Sequence, residues 1–243
     1  SLGPMLNLRL ARPAVLVDLG GIAALGEMRA RAGGGVRIGA GVTHARIEDG
    51  GVPAEGALGA MLRHVAGGIA YRAVRNRGTI GGSLAHADPA ADWVSAMTAL
   101  DARPVILRRD GREETCDMAA FMAGAYRTAL GSDGILVAVD IDGLGARACW
   151  GYAKICRKVG EFADAIGAVV IDPDRGLARI VAGATGGRPA VLHDLARSLA
   201  TSAAAPGRAS IAEALDAALG TIAPVKRQQL TVALERAIRQ VIA

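Results

Sequence analysis

Aromatic residues and cysteines are scarce in this chain of 243 residues, and both scarcities narrow the classes of protein it can represent. Phe, Trp and Tyr together make up 3% of the residues, so any core must be built from Ala, Val, Leu and Ile. The three cysteines, Cys116, Cys149 and Cys156, are an odd number and form no C-x-x-C pair. The sequence therefore indicates neither a disulfide framework nor a cysteine-ligated zinc or iron–sulfur site.

Long apolar runs and basic blocks are also missing. No apolar run reaches the length of a transmembrane helix, and nothing at Ser1 resembles a signal peptide. The formal net charge is +5, but the basic residues are spread along the chain without the interleaved aromatics of single-strand nucleic-acid binders. We therefore expect a soluble cytoplasmic protein that binds no nucleic acid. Some of its arginines could face an acidic partner or the phosphates of a cofactor.

Glycine is abundant, with 33 residues in all. Glycine and polar residues are concentrated together in one stretch of the chain. Tyr71–Trp93 reads YRAVRNRGTIGGSLAHADPAADW and opens with three arginines. Asp88 suits a helix N-cap and Pro89 suits the first helical position, so this pair predicts a helix that begins there. Apolar residues then recur at helical spacing as far as Leu100.

Two interpretations of the glycines in this stretch remain open on local chemistry. A glycine-rich loop at a helix start can present backbone N–H groups to a phosphate, and Thr79 and Ser83 add hydroxyl donors. The alternative is a tight turn, because a Gly-Gly pair is a common turn signal. The stretch is neither a Walker A loop nor a G-x-G-x-x-G fingerprint.

Taken whole, VRNRGTIGGSLAHADPAADW closely resembles the second flavin-binding loop of a known family. The family is the FAD-binding (medium) subunit of molybdenum hydroxylases, which are enzymes of the carbon monoxide dehydrogenase and xanthine dehydrogenase type. Tyr152–Ala163, reading YAKICRKVGEFA, is similar to a second family segment, Tyr/Phe-x-Lys…Arg-Lys-x-Gly-Asp-Trp/Phe-Ala. The opening SLGPMLNLRLARPAVLVDL also looks like the segment that follows the family's first flavin loop.

The resemblance implies an α+β fold with two parts. Residues 1–143 would be a PCMH-type FAD-binding domain, comprising its second subdomain and a remnant of the first. Residues 144–243 would be a C-terminal domain like that of the carbon monoxide dehydrogenase flavoprotein, a three-stranded antiparallel meander followed by helices. The family's first glycine-rich loop would precede Ser1, so we expect that residues upstream of Ser1 are missing and that the FAD-binding domain is incomplete.

The function implied is that of a flavoprotein subunit. Electrons would pass from iron–sulfur clusters through FAD to NAD⁺, oxygen or a quinone. The implied partners are a large molybdenum-cofactor subunit and a small 2Fe–2S subunit, in a dimer of heterotrimers. The resemblance further implies a cytoplasmic location, with association with the inner face of the membrane through those partners.

The resemblance also implies where FAD would be held, and it implies neither a catalytic side chain nor a metal ligand on this chain. The loop that wraps the FAD pyrophosphate is matched by Thr79, Ile80, Gly81, Gly82 and Ser83. Asp92 matches an acidic position placed to bind a ribose hydroxyl, and the segment that covers the isoalloxazine is matched by Tyr152 and Lys154. Structural explanations stay open for two of them. Asp92 could merely complement a helix dipole, and Tyr152 could merely pack in a core between domains.

Two other functions stay open. A structural or assembly subunit that no longer binds flavin would share most of these features. A stand-alone flavin oxidoreductase of the vanillyl-alcohol oxidase type, or a cell-wall-precursor reductase, would share the architecture of the FAD domain. The segment Tyr152–Ala163 disfavours this last alternative, because it resembles the hydroxylase subunit specifically.

Elsewhere the sequence predicts local structure only. Ile135–Ile141 predicts a strand, as does the β-rich run Val15–Leu19, and 58–69 shows the spacing of an amphipathic helix. The Gly-rich stretch 142–146 predicts a domain boundary. Ser210 and the glutamate three residues later match a capping box, which predicts a helix start.

Two histidines are interpreted as non-catalytic. His44, a lone histidine near a predicted helix start, is expected at the surface. His86 is expected in a loop with a backbone hydrogen bond. Ser83, His86 and Asp88 lie within one short segment without a nucleophile elbow, so we do not interpret them as a hydrolytic triad.

Overall fold

The computed structural model describes residues 1–202 and 204–242, in which helices pack around two large antiparallel sheets, with a separate two-stranded sheet formed by Met122–Gly124 and Arg127–Thr128. This confirms the predicted α+β class. The strands are β1 (Met28–Ala30), β2 (Val36–Gly39), β3 (Arg103–Arg108), β4 (Glu113–Thr115), β5 (Met122–Gly124), β6 (Arg127–Thr128), β7 (Gly134–Ile141), β8 (Cys149–Ile155), β9 (Ala165–Asp172), β10 (Leu177–Gly183) and β11 (Ala190–Val191).

The helices are α1 (Leu2–Asn7), α2 (His44–Glu48), α3 (Gly56–Gly67), α4 (Arg72–Arg75), α5 (Ile80–His86), α6 (Asp92–Ala99), α7 (Met118–Phe121), α8 (His193–Ser202), α9 (Arg208–Leu219) and α10 (Pro224–Arg239). Short 3₁₀ turns cover Ala23–Gly26 and Ala32–Gly34. Among the described residues, no helix has both the length and the apolar character needed to span a bilayer.

The first sheet has five strands in the order β1-β2-β7-β3-β4, and every pairing is antiparallel. The predicted strand Ile135–Ile141 is its central strand β7. A β-bulge between Val105 and Ile106 shifts the register of β3 against β7. Buried residues of β2 and β7 belong to the same apolar cluster as those of α3 and α6.

The second sheet has the order β11-β10-β9-β8. The predicted meander is present, and the two-residue strand β11 adds a fourth strand to it. All eight residues of β9 are buried, because α6 packs on one face of this sheet and α10 on the other. This two-sided burial explains why β9 reads as an almost unbroken apolar run, AIGAVVID, rather than an alternating pattern.

Helix α6 is the element that joins the two parts of the chain. All eight of its residues are buried. The apolar cluster around it contains Val36 and Ile38 from the first sheet together with Ile166 and Val170 from the second. One continuous core therefore crosses the predicted boundary, and the division at 143/144 stays a prediction.

The stretch 142–146 is held firmly rather than left as a free linker. The backbone N–H of Gly145 donates to the Asp172 carboxylate at 2.8 Å. Arg175, in the turn between β9 and β10, donates to the carbonyl of Gly143 at 2.6 Å. A rigid turn of the second sheet therefore fixes the chain where it leaves the first sheet.

The predicted helix start, with Asp88 as N-cap and Pro89 as first helical residue, is wrong by three residues. Helix α6 begins at Asp92, with Ala91 as its N-cap. The Asp88 carboxylate instead accepts from the N–H of Ala90 at 2.9 Å, which closes a local turn that contains Pro89. Aspartate favours N-caps and such turns for the same reason, namely its short acceptor side chain, and here the turn forms.

Two further local predictions are wrong. Val15–Leu19 forms no strand and is exposed, because no neighbouring strand pairs with it. Ser210 lies inside α9 rather than at its start, since that helix begins at Arg208 with Gly207 as the N-cap.

The buried hydroxyl of Ser95 generates the first testable prediction. Its oxygen has no hydrogen-bond partner among the described residues, and it presses against Gly183 of β10. We expect Ser95→Ala to raise the free energy of unfolding by about 1 kcal/mol, since an unsatisfied buried polar group is removed. Urea unfolding measures this change.

Thr98→Ala on the same helix is the matched control. The Thr98 hydroxyl donates to the carbonyl of Val94 at 2.7 Å, so its loss should destabilise the protein. A lower stability of Ser95→Ala would contradict the prediction.

Candidate cofactor site

The segment TIGGS is the start of a helix rather than an open loop. Thr79 is the N-cap of α5, and its hydroxyl oxygen accepts from the N–H of Gly82 at 3.0 Å. Ile80, Gly81, Gly82 and Ser83 form the first turn. The prediction of a glycine-rich loop is therefore corrected to a capped helix N-terminus.

This helix start is held by the segment that follows β2. The N–H of Ile80 donates to Val42 at 3.0 Å, and the N–H of Gly81 donates to Ala40 at 3.0 Å. An isolated β-bridge pairs Thr43 with Thr79. The position of the Thr79 cap is therefore set by a short antiparallel contact with the chain around residue 42.

These contacts leave no first-turn amide free for a phosphate. Ile80 and Gly81 donate to the segment after β2, while the N–H groups of Gly82 and Ser83 donate to the hydroxyl and the carbonyl of Thr79. The predicted cradle of free amides is thus wrong for this structure. The remaining donors are the hydroxyls of Thr79 and Ser83, for which no acceptor lies among the described residues.

The two adjacent glycines meet different surroundings. A Cβ at Gly81 would overlap the Cβ of Ala40, so packing within the protein requires glycine there. Gly82 is exposed, and a Cβ there would lie 3.0 Å from the Thr79 hydroxyl oxygen and near no other part of the chain. Of the two, only Gly82 offers bare backbone surface to a ligand.

Of the three arginines before the glycines, two are engaged by carboxylates. Arg75 pairs with both oxygens of Glu48 at 2.8 and 2.9 Å and also donates to the carbonyls of Ile69 and Ala70. Arg72 pairs with Glu48 and Asp49. Hydrogen bonds from Arg75 hold the pKa of Glu48 below its ordinary value.

Arg77 is the exception. It is exposed, and it has no carboxylate partner within residues 1–202 and 204–242. It precedes Thr79 by two residues, which makes it the cation of this run that remains available to an anionic ligand. Nothing in the sequence distinguished it from Arg72 and Arg75, because the acidic partners of those residues, Glu48 and Asp49, lie more than twenty positions earlier, at the end of α2.

Three of the predicted site residues form one buried cluster between the two sheets. The hydroxyl of Tyr152 donates to Asp92 Oδ1 at 2.7 Å. The Lys154 ammonium lies 3.1 Å from Asp92 Oδ1 and also donates to the carbonyl of Gly68 at 2.9 Å. Asp92 and Tyr152 are only 7% and 6% exposed. The cluster ties the first residue of α6 to strand β8 and to the end of α3.

Burial dominates the electrostatics of this cluster. It raises the pKa of the Asp92 carboxyl above its ordinary value, against the opposing effect of Lys154 and Tyr152. It also raises the pKa of Tyr152 well above 10, and the neighbouring Asp92 charge raises it further. Tyr152 is therefore a hydrogen-bond donor at neutral pH. A flavin contact by Asp92, Tyr152 or Lys154 stays a prediction.

His44 is buried, so its predicted surface position is wrong. Its Nδ1 accepts from the indole N–H of Trp93 at 3.0 Å, and its ring lies where a Cβ of Gly78 would be. Desolvation, aided by the charge of Arg75, lowers the pKa of His44 from 6.5 to about 4. His44 is therefore neutral and acts as a packing and acceptor group behind the Thr79 cap.

His86 is the last residue of α5 rather than a loop residue. Its ring packs against Tyr126 with a centroid separation of 5.2 Å. The Tyr126 hydroxyl reaches Asp88 at 3.4 Å. The interpretation of these residues as non-catalytic stays a prediction.

Phe162 is the exposed aromatic of the segment Tyr152–Ala163. It is 61% exposed, whereas Tyr152 is buried. The segment folds back at Gly160, which has φ +88° and lies against the carbonyl of Ala70. Sequence reasoning chose Tyr152 as the aromatic facing a ligand. Phe162 is therefore a second aromatic of this segment, and the exposed one.

Comparison with known proteins identifies a family and several similar proteins. The family described as FAD binding domain in molybdopterin dehydrogenase matches residues 1–141. The nicotine 6-hydroxylase medium subunit of Paenarthrobacter nicotinovorans is 36% identical over 171 residues, covering 70% of this chain and 58% of that protein. The caffeine dehydrogenase subunit beta of Pseudomonas sp. strain CBB1 is 30% identical over 203 residues, covering 80% of this chain and 66% of that protein.

A solved structure extends the similarity to almost the whole chain. The matching chain of carbon monoxide dehydrogenase from Hydrogenophaga pseudoflava, in a form that lacks the Mo-pyranopterin moiety, superposes with a TM-score of 0.86 at 28% identity. The match covers 99% of this chain and 86% of that one. The present chain therefore spans only part of the length of the proteins it resembles.

The buried imidazole of His44 predicts a specific pH dependence. Because its pKa falls from 6.5 to about 4 on folding, its contribution is fully present above pH 6.5 and is lost as the pH falls toward 4. Between pH 7.5 and 5 the wild-type protein should lose about 2 kcal/mol of stability through protonation of His44 in the unfolded state. The variant His44→Asn, which keeps an acceptor near Nδ1 but does not titrate, should not show this loss.

Urea unfolding of both proteins at several pH values tests this expectation. The stability difference between wild type and variant should shrink as the pH falls. A difference that stays constant across this range would show that His44 does not take up a proton on unfolding.

Proposed function

We propose that this chain, which belongs to the family of FAD-binding domains in molybdopterin dehydrogenases, is the flavin-binding part of a molybdenum hydroxylase medium subunit. The observation that carries the proposal is the exposed bare backbone of Gly82 between the hydroxyls of Thr79 and Ser83. Glycine lets a ligand approach the backbone closely, and the hydroxyls supply donors for phosphate oxygens. The free guanidinium of Arg77 adds charge complementarity.

In this proposal the residues divide into two groups by what they touch. Thr79, Gly82 and Ser83 meet the pyrophosphate, while Ile80 and Gly81 hold the helix start against the segment after β2. An ionised carboxylate has about four acceptor sites, so Asp92 keeps capacity for a ribose hydroxyl beside the bonds from Tyr152 and Lys154. Because Tyr152 and Lys154 are committed to Asp92, we assign the aromatic cover of a flavin ring to Phe162.

When bound, FAD supplies the electron chemistry, accepting electrons singly and releasing them in pairs, while the protein supplies binding, orientation and electrostatics. The proposed donors are iron–sulfur clusters on a small partner subunit, fed by a large molybdenum-cofactor subunit. The proposed acceptor is NAD⁺, oxygen or a quinone. The proposed assembly is a dimer of heterotrimers in the cytoplasm.

One observation favours a second candidate function. Every first-turn amide of α5 already has a partner within the chain, as a segment kept only for its structural role would have. The alternative is therefore a structural or assembly subunit of such a complex that no longer binds flavin. The two functions differ in one measurable property, which is flavin bound by the full-length protein.

We expect the full-length protein to show the visible absorption of bound FAD and Gly82→Val to lose it. A valine side chain at this position would cover the bare backbone and crowd the Thr79 hydroxyl. Absorption spectra of the purified proteins, with and without added FAD, measure the loss. Gly187→Val is the matched control, because its Cβ would meet no other part of the chain.

An unchanged affinity of Gly82→Val for FAD would mean that the glycine serves only the turn. Absence of flavin from the wild-type protein would support the assembly-subunit alternative instead. Far-ultraviolet circular dichroism of each variant checks that the fold is retained.

The proposed partners generate a separate prediction. We expect the tagged protein, isolated from its native cells, to co-purify with a chain that carries molybdenum and a chain that carries 2Fe–2S clusters. Metal analysis and the mass of the complex measure this composition. Recovery of a lone chain that is active as an oxidoreductase would contradict membership of such a complex.

A further inference from the structure

Strand β8 is the edge of the second sheet, and one of its residues is held from outside the sheet by a side chain. Gln240, the C-cap of α10, accepts from the N–H of Tyr152 at 3.0 Å and donates to the carbonyl of Tyr152 at 3.2 Å. A primary amide carries an acceptor and a donor side by side, so it pairs with both backbone groups as a neighbouring strand would. The edge is therefore closed at Tyr152 by the C-terminal helix.

Two glycines bring α10 close enough for this pairing. A Cβ at Gly151 would overlap the carbonyl of Ala237, and one at Gly167 would lie 2.5 Å from the carbonyl of Ala233. The helix backbone thus rests directly on β8 and β9 with no side chain between them. This close contact ends one turn before Gln240 and fixes where its amide reaches the strand.

The side chain of Tyr152 points to the opposite face of the sheet. There its hydroxyl donates to Asp92 at 2.7 Å, and Lys154, two residues along the same face, pairs with the same carboxylate. Alternation along the strand therefore gives Tyr152 two separate contacts, with Gln240 through its backbone and with Asp92 through its hydroxyl.

We propose that Gln240 is a positioning residue for the cofactor site, acting through Tyr152 on Asp92. This inference rests on the proposed function and adds to it a role for the C-terminal helix. Without the amide, the edge at Tyr152 has unpaired backbone groups and can move away from α10. A hydroxyl bond of 2.7 Å tolerates little displacement, so Asp92 loses its fixed orientation at the start of α6.

The test uses the full-length protein and FAD itself as the probe. We expect Gln240→Ala to weaken FAD binding about tenfold, which corresponds to Asp92 keeping its binding orientation in roughly one tenth of the molecules. Gln240→Glu keeps the acceptor and loses the donor, so it should weaken binding by a smaller factor. Gln228→Ala is the matched control, because Gln228 lies exposed on the same helix, far from its C-terminus. Quenching of flavin fluorescence on titration gives the dissociation constants.

A double-mutant cycle separates positioning from a general loss of stability. Tyr152→Phe removes only the hydroxyl that reaches Asp92, so Gln240→Ala should have little further effect on FAD binding in that background. An equal weakening in both backgrounds would overturn the proposal, as would unchanged binding by Gln240→Ala. A wild-type protein that binds no FAD would refute the proposed function and, with it, this role of Gln240.

Discussion

The arrangement of the chain depends on one buried carboxylate. Asp92 is the first residue of a helix that is buried along its whole length, and both of its oxygens face groups from the second sheet. A carboxylate in such surroundings is costly unless it is paired and hydrogen-bonded. Lys154 and Tyr152 meet that condition together, and removing one partner of a buried pair of this kind costs about 3–5 kcal/mol. The start of α6 is therefore fixed against strand β8 of the second sheet.

The short helices around the candidate site have little stability of their own. Helix α5 has seven residues and α4 has four, too few to be stable in isolation. Their positions come from contacts made on either side: the segment after β2 pairs with Thr79–Gly81, Glu48 binds Arg75, and Lys154 holds the carbonyl of Gly68. The candidate site is thus a consequence of tertiary contacts, with the buried core on one side and Gly82 exposed on the other.

Sequence reasoning recovered the fold class and the family, because these depend on motifs and on apolar periodicity. It named Asp92, Tyr152 and Lys154 as separate flavin contacts and did not predict that they contact one another. It missed features that depend on contacts between distant segments. The amides of Ile80 and Gly81 are taken by residues about forty positions earlier. His44 is buried because Trp93, 49 residues later, donates to it. The helix start at Asp88 failed for a local reason, since a carboxylate can close a turn as readily as it caps a helix. In this chain, long-range partners decided which polar groups were left free.

A residue required by packing and a residue open to a ligand are therefore separable within the five residues of TIGGS. Gly81 is required by Ala40, whatever the cofactor, whereas a Cβ at position 82 would meet only the Thr79 hydroxyl. Asp92 likewise has a complete structural role without a ribose, and Tyr152 has one without a flavin ring. A protein that had lost its cofactor could keep Gly81, Asp92, Tyr152 and Lys154 for stability alone, so these residues argue for the fold. The bare surface of Gly82 and Arg77, which has no carboxylate partner in the described chain, are what argues for a ligand, together with the donor hydrogens of the hydroxyls beside Gly82.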